Sequence, residues 1–463
     1  MNQDQKNNNL KNTSTSSLSN GLSGEIFAPG DKSISHRCVI LSAIAIGESR
    51  IEGLLRSTDI TCTIEAMKSL GANINSNSNA NINSNSNVCI INGIGIGSLM
   101  EPKKPLDFGN SGTAARLIMG LVSTHPIKSV FVGDDSLSKR PMRRVVDPLT
   151  EFGAEFELTS SEFFPIVVNG AKLPIPISYE TLIPSAQVKS AVLLGGLNTP
   201  GITSVIENQK TRDHTERLLE IYGYQINIIE EKKRTKISIN GQENLKSVNI
   251  AIPGDPSSAA YPVVAGLLCK NSNITVKNVL VNPTRDGIYT SLKEMGAKIV
   301  FTNRRFEAGE DVYDIFVETS QLKAIEVPAS RAPSMIDDYP VLAVAASIAE
   351  GISIFRGLSE LKVKESDRLS GIKHFLEVNG VNVSIKNDDL IIEGNPRGIK
   401  GGGIINTNLD HRIAMSSLIL GLISDAPVSI DDVKTIDTSF PGFIDLMSSL
   451  GAKIKLSGLS SAL

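Results

Sequence analysis

Several kinds of chemistry are excluded by what this sequence lacks. Its four cysteines, Cys38, Cys62, Cys89 and Cys269, lie far apart and never at CxxC spacing. That argues against a zinc or disulfide framework and makes a reduced, cytoplasmic setting the expectation. No HExxH or other ligand cluster points to a metal. No apolar run approaches the roughly 20 residues needed to span a bilayer. The formal net charge of -3 over 463 residues leaves no global basic field to hold nucleic acid, so any positive potential must be local. There is no Walker A motif, and "GIGIGS" at 93–98 lacks GxGxxG spacing and reads as a turn. The opening "MNQDQKNNNLKNTSTSSLSN" has neither an arginine nor an apolar core. It is therefore expected to be neither a transit peptide nor a secretory signal, and residues 1–22 are expected to be a disordered tail. A second biased run, "NINSNSNANINSNSN" at 73–87, reads as a lengthened connection between strands.

What is present is a hidden repeat. The length alone suggests two domains. Six segments share one pattern of amphipathic helix, glycine and short β-like run: "AMKSLGANI", "PLTEFGAEF", "LLEIYGYQI", "SLKEMGAKI", "FLEVNGVNV" and "LMSSLGAKI". Their glycines, Gly71, Gly153, Gly223, Gly296, Gly380 and Gly451, suit the left-handed position that ends a helix. Ile60, Ile64, Met67 and Leu70 form one helical stripe, and Ile288, Leu292 and Met295 another. The glycines recur every 70 to 84 residues, too long for a solenoid repeat. Two sets of three α/β units fit the two-domain expectation.

The starts of five of these helices are rich in positive charge, "LLRSTD", "KRPMRR", "KTRDHTE", "NPTRDG" and "VKESDR", while the sixth, after "VKTIDTSFPG", is poorer in charge. Cations oppose the dipole at a helix N-terminus, so their recurrence there suggests bound anions. Pairing of Arg212 with Asp213 and of Arg285 with Asp286 is the alternative explanation. The same logic applies to "APGDKSISHR" at 28–37, where a turn delivers many donors to the mouth of a small-residue helix.

The polar clusters "DKSISHR" (31–37), "DFGNSGTAAR" (107–116), "GDDSLSKRPM" (133–142), "PSAQVKSA" (184–191), "TRDH" (211–214), "SMIDDYP" (334–340), "VKESDR" (363–368) and "LDHRIAM" (409–415), in this order, resemble the 5-enolpyruvylshikimate-3-phosphate synthase family. "PSAQVKSAVLLGGLNTPG" and "RAPSMIDDYP" resemble its class II branch. The resemblance spans the chain from about residue 22. It implies an α/β (α+β) fold of two domains, each of three βαβαββ-type units. Residues 32–253 would form one domain, and 23–31 with 254–463 the other, closing on substrate held between them.

The implied reaction joins shikimate 3-phosphate and phosphoenolpyruvate, releasing phosphate, with no cofactor and no metal. The expected state is a cytoplasmic monomer that binds neither nucleic acid nor membrane. Residue by residue, the resemblance assigns shikimate 3-phosphate to Lys32, Ser33, Arg37, Ser185, Ala186, Gln187, Arg212, Asp337 and Lys364. It assigns phosphoenolpyruvate to Lys32, Gly112, Arg140, Gln187, Arg368 and Arg412, and catalysis to Asp337, Glu365, Lys32 and Lys364. Asp337 is the candidate base for the 5-hydroxyl, and Glu365 or Lys32 the donor to the methylene carbon. Arginine forks suit carboxylate and phosphate. Gly112 lines the pocket that glyphosate occupies in the family, so sensitivity to that inhibitor is expected. One departure stands out: in "DTSFPGF", Thr438 occupies a position where other members carry a lysine. A UDP-N-acetylglucosamine enolpyruvyl transferase is the enzymatic alternative, but "GDDSLSKRPM" lacks the cysteine that family usually places there. An RNA-end cyclase and a non-catalytic anion binder are the others.

Overall fold

The computed structural model describes residues 13–76, 88–159, 162–232 and 234–456. The chain forms two compact units: residues 30–253 with Phe306–Glu310, and residues 1–29, 254–305 and 311–463. Each is built on three four-stranded sheets. In every one an edge strand runs parallel to its neighbour. That neighbour pairs antiparallel with a third strand.

The six glycines that mark the repeat all have positive φ, between +73° and +109°. Each ends an outer helix. Gly71 N–H donates to Lys68 C=O and Ala72 N–H to Met67 C=O, and the same pair of hydrogen bonds recurs at Gly223, Gly296, Gly380 and Gly451. Helix and following strand are thereby joined without a loop. The stripes at Ile60, Ile64, Met67 and Leu70 and at Ile288, Leu292 and Met295 are buried.

Inside these outer helices lie three inner helices per unit, buried almost all round: Lys32–Ala43, Gly112–Val122 and Ala186–Leu197 in the first unit, and Pro256–Leu268, Tyr339–Ser347 and His411–Gly421 in the second. Helices hydrophobic on every face belong in a core. Their small residues permit close approach. A Cβ on Gly120 would lie 2.2 Å from Ala191 O on the neighbouring inner helix. Among the described residues, no helix is long and apolar enough to cross a membrane.

The expected tail is corrected over residues 14–17. Ser14–Ser17 forms a strand at the centre of a sheet, paired with Val428–Ile430 on one side and Lys453–Leu456 on the other. Composition concealed it because its buried side chains are serines. Ser14 Oγ donates to Lys455 O at 3.0 Å, and Ser16 packs so closely on Gly421 that a Cβ there would sit 2.0 Å from its Oγ. Residues 1–12 lie outside the described residues, as do 77–87 of the Asn/Ser run, whose first part is the strand Asn73–Ser76. The first passage from one unit to the other falls between Pro29 and Gly30, two residues before the expected boundary. Asp31 goes with the following helix because its N–H donates to Pro253 O at 2.8 Å and its Oδ1 accepts from Ile34 N–H at 2.7 Å.

Candidate active site

Each unit carries a cluster of polar groups at the N-termini of its inner helices. In the first unit the caps are Asp31, Ser111 and Ser185, accepting from the N–H groups of Ile34, Ala114 and Val188. Two of the three are neutral, so those helix mouths keep their positive potential. Lys32 begins the first inner helix and pairs with Asp59, Nζ to Oδ2 at 2.5 Å. Ser33 lies in the same turn. Arg37, one turn on, is buried and donates to Ser33 O at 2.9 Å, Thr215 Oγ1 at 2.7 Å and Ser190 Oγ at 2.7 Å. His36 beside it is held well below its usual pKa by burial and by the Lys32 and Arg37 charges. It is a neutral member of the cluster.

Gly112 and Gln187 meet through Arg116. Arg116 Nη1 donates to Gln187 Oε1 at 2.8 Å, and Gln187 Nε2 donates to Thr113 Oγ1 at 3.0 Å. Arg140 donates to Asn110 O at 3.2 Å and Ser136 Oγ at 3.1 Å, and also bonds Asn110 Oδ1. Ser185 and Ala186 stand at the mouth of the third inner helix, and Arg212 is half-buried in the loop before His214–Ile221. The first unit thus holds Lys32, Ser33, Arg37, Gly112, Arg140, Ser185, Ala186, Gln187 and Arg212.

The second unit holds Asp337, Lys364, Glu365, Arg368 and Arg412. Its caps are different: aspartates stand before all three inner helices, each with an arginine. Arg285 Nη2 lies 3.2 Å from Asp255 Oδ1, Arg412 Nη1 3.5 Å from Asp338 Oδ1, and Arg368 Nε 2.8 Å from Asp410 Oδ2. Arg368 is the hub. Its remaining nitrogens reach Asp337 Oδ1 at 3.0 Å and Glu365 Oε2 at 2.5 Å. Lys364 Nζ stands 3.4 Å from the same Asp337 oxygen. The guanidinium is 1% exposed, whereas Asp337 and Glu365 are 19% and 20% exposed. A buried cation therefore holds two accessible carboxylates side by side. Burial opposes the Arg368 charge, but Asp410, Glu365 and Asp337 together raise its pKa above the ordinary arginine value. Arg412 lies over the Tyr261 ring, 5.9 Å from its centroid. Burial pushes Asp338 up, with Arg412 pulling against it. Thr438, at the departure from the family pattern, donates to Thr435 O at 2.7 Å and lies 3.4 Å from His411 Nδ1.

The local pairing of Arg285 with Asp286 gives way to a longer-range one. Arg285 bonds Asp255 and Ser257, and Asp213 accepts from Arg217 at 2.8 Å. Asp213, His214 and Glu310 form a trio whose ligand atoms lie within 4.8 Å of one another. Arg217, 2.8 Å from Asp213 and 3.6 Å from Glu310, already supplies the positive charge there. The trio reads as an ion-pair network.

Sequence reasoning missed Asp59, Arg116, Asp410 and the Asp255–Arg285 pair. Asp59 and Asp410 had a signal, since each stands next to or inside a helix-start motif. Arg116 and Arg285 also stand in quoted motifs, but their partners Gln187 and Asp255 are remote in sequence.

Comparison with known proteins completes the picture. Residues 17–447 match the family described as EPSP synthase (3-phosphoshikimate 1-carboxyvinyltransferase). A protein of Chelativorans sp. (strain BNC1) named 3-phosphoshikimate 1-carboxyvinyltransferase is 52% identical over 440 residues, 94% of this chain and 96% of its own. One of the same name from Pseudomonas sp. (strain PG2982) is 51% identical over 445 residues, 96% of this chain and 97% of its own. A solved structure of EPSP synthase from Acinetobacter baumannii superposes with a TM-score of 0.83 at 38% identity, covering 96% of this chain and 99% of that one. The enolpyruvyl transferase NikO from Streptomyces tendae shares the fold, with a TM-score of 0.75 at 18% identity, covering 96% and 99%. With its two units of three four-stranded sheets each and a match over nearly its whole length, this chain belongs to the EPSP synthase family.

Proposed function

We propose that this chain transfers the enolpyruvyl group of phosphoenolpyruvate to the 5-hydroxyl of shikimate 3-phosphate, releasing phosphate and 5-enolpyruvylshikimate 3-phosphate. Family membership supports the reading. The observation that carries it is the Arg368 fork, which holds Asp337 and Glu365 together beside Lys364. Addition needs a base for the hydroxyl and an acid for the methylene carbon, and two adjacent carboxylates with different partners can divide those tasks.

Asp337 takes the proton as the 5-oxygen attacks C2 of phosphoenolpyruvate, and Glu365 or Lys32 delivers one to C3. The tetrahedral adduct then expels phosphate, which takes up the proton held by Asp337, as C3 returns its proton to the group that supplied it and the double bond re-forms, so protons balance over the cycle. Arg140, Arg368 and Arg412 offset charge on the carboxylate and the departing phosphate. Lys32, Ser33, Ser185, Ala186, Gln187 and Arg212 take the phosphate and ring of shikimate 3-phosphate, the helix mouths adding their N–H groups. The reading implies a cytoplasmic monomer without cofactor.

The test is phosphate release on mixing the protein with both substrates. Release with UDP-N-acetylglucosamine in place of shikimate 3-phosphate, and none with the latter, would overturn it.

A further inference from the structure

Beneath the anion-recognising loops of the first unit lies a charged cluster that the reaction does not use. Lys189, on the inner helix Ala186–Leu197, is 1% exposed. Its Nζ lies 2.9 Å from Glu207 Oε2 and 2.7 Å from Glu216 Oε1, and it donates to Thr211 O at 3.4 Å. Glu207, Thr211 and Glu216 are themselves buried, and Thr211 Oγ1 donates to Glu207. Two carboxylates share one ammonium away from water, and burial pushes the Glu216 carboxyl up against the pull of Lys189. Such a cluster is a poor source of stability, because desolvation opposes the gain from pairing. The neighbouring helix positions Val188, Ala191, Val192 and Leu194 are apolar.

What the cluster joins gives it a use. Glu207 ends the strand Ile202–Glu207, Thr211 precedes Arg212, and Glu216 lies in the first turn of His214–Ile221. The loop carrying Arg212 is therefore tied to Lys189 before, within and after its turn. The next residues along each element continue the connection. Ser190, adjacent to Lys189, and Thr215, adjacent to Glu216, bond one another at 2.7 Å, and both accept from Arg37. Ser190 Oγ also donates to Ala186 O at 2.6 Å, at the mouth of the helix.

We propose that the buried Lys189–Glu207–Glu216 cluster is a positioning device for the phosphorylated substrate, locking Arg212, Arg37 and the Ser185–Gln187 helix mouth into their binding geometry before the ligand arrives. It rests on the reading that this unit takes shikimate 3-phosphate. Lys189 itself touches no substrate; it acts through the loop and helix it joins. Preorganisation of this kind lowers the ordering cost of binding.

The test uses a neutral cluster, Lys189→Met with Glu207→Gln and Glu216→Gln, which removes the buried charges together. The expected result is a melting temperature equal to or above that of the parent, with a KM for shikimate 3-phosphate raised about tenfold, equivalent to about 1.4 kcal/mol. The KM for phosphoenolpyruvate should move less than about twofold, and kcat at saturation should hold within about threefold. An unchanged KM for shikimate 3-phosphate, or an equal rise in both KM values, would overturn the proposal. Hydrogen exchange on the parent protein gives a measurement that needs no variant. Amides 208–216 should be protected without ligand and little changed by shikimate 3-phosphate. Protection that arises only on ligand addition would overturn the proposal. A parent protein that releases no phosphate from the two substrates sinks the functional reading instead, and the two failures are separable.

Discussion

Lys32 Nζ lies 2.5 Å from Asp59 Oδ2, joining the mouth of an inner helix to the first turn of the outer helix Thr58–Ser69. The aspartate is the more buried partner, with 8% of its side chain exposed against 18% for the lysine. It therefore acts as the fixed point, and the flexible lysine is aimed by it. Asp59→Asn keeps the shape and removes the charge. It should lower kcat/KM about tenfold, as expected for loss of one charge-assisted bond, with the fold intact by circular dichroism. Steady-state kinetics at the parent level would show that Lys32 needs no such partner.

A second expectation separates binding from chemistry. Asp337→Asn retains the side-chain shape beside Arg368 and Lys364 but cannot accept the hydroxyl proton. Shikimate 3-phosphate binding by calorimetry should persist while kcat falls about 100-fold or more. Arg412→Ala should do the opposite, weakening phosphoenolpyruvate binding by about 2–4 kcal/mol. An asparagine variant turning over at the normal rate would remove Asp337 from the role of base.

The amino-terminal strand yields a test of the fold. Thr15 sits opposite Ser429 on one side and Lys455 on the other, and its hydroxyl lies 2.8 Å from Ser429 Oγ. Proline cannot be placed in a central strand without losing a ladder bond. Thr15→Pro should therefore lower the melting temperature by about 5 °C or more. A melting curve matching the parent's would mean that this strand adds nothing to the sheet.

That strand also marks where sequence reasoning stops. The helix-ending glycines were legible because a left-handed residue is a local requirement that only a few residue types meet cheaply. The first inner helix was legible as the small-residue run that follows "APGDKSISHR". Ser14 and Ser16, by contrast, are buried only because the chain's far end brings Gly421 and Lys455 to them. Much of the candidate site follows the same division. Lys32, Asp337 and Arg368 stand in compact motifs, while Arg116 gains its significance from Gln187, which is distant in sequence. Likewise the tie between Lys189 and Glu207 appears only once the strand and helix are packed.

Acid should destabilise the protein through its buried imidazoles. Burial lowers the His125 pKa to about 4, and Nδ1 lies 2.9 Å from Leu121 O. The folded pKa is thus below the unfolded value of about 6.5. The stability contributed is complete above pH 6.5 or so and is lost as pH falls towards 4, amounting to roughly 3 kcal/mol for this residue. His36 shifts in the same direction. Denaturation by urea across that pH range should show the decline, and His125→Gln should flatten it. A variant with the parent's pH profile would assign the acid sensitivity to other groups.

Gly112 concerns inhibition. It is the first residue of its inner helix and is buried. A Cβ there would lie 2.8 Å from Arg116 Nη1, 3.2 Å from Arg140 Nη1 and 3.6 Å from Leu137 Cδ1. The two close contacts are side-chain ends, so the guanidinium groups must yield and the backbone need not. Arg116 is held by Gln187 and Arg140 by Asn110, so neither moves without straining its own bonds. The methyl group of Gly112→Ala should therefore disturb the phosphoenolpyruvate side even before it meets a ligand, raising that KM by about threefold to tenfold. On the proposed reading, glyphosate, which is longer than phosphoenolpyruvate, would enter the same pocket with less slack. Its inhibition constant should rise by a larger factor than the KM, the added bulk discriminating against the longer ligand. Titrating parent and variant with inhibitor at fixed phosphoenolpyruvate measures both. Equal factors for the two ligands would mean that the methyl acts only through displaced arginines. A parent protein indifferent to millimolar glyphosate, a concentration matching binding of only about -4 kcal/mol, would place control of the pocket at another residue.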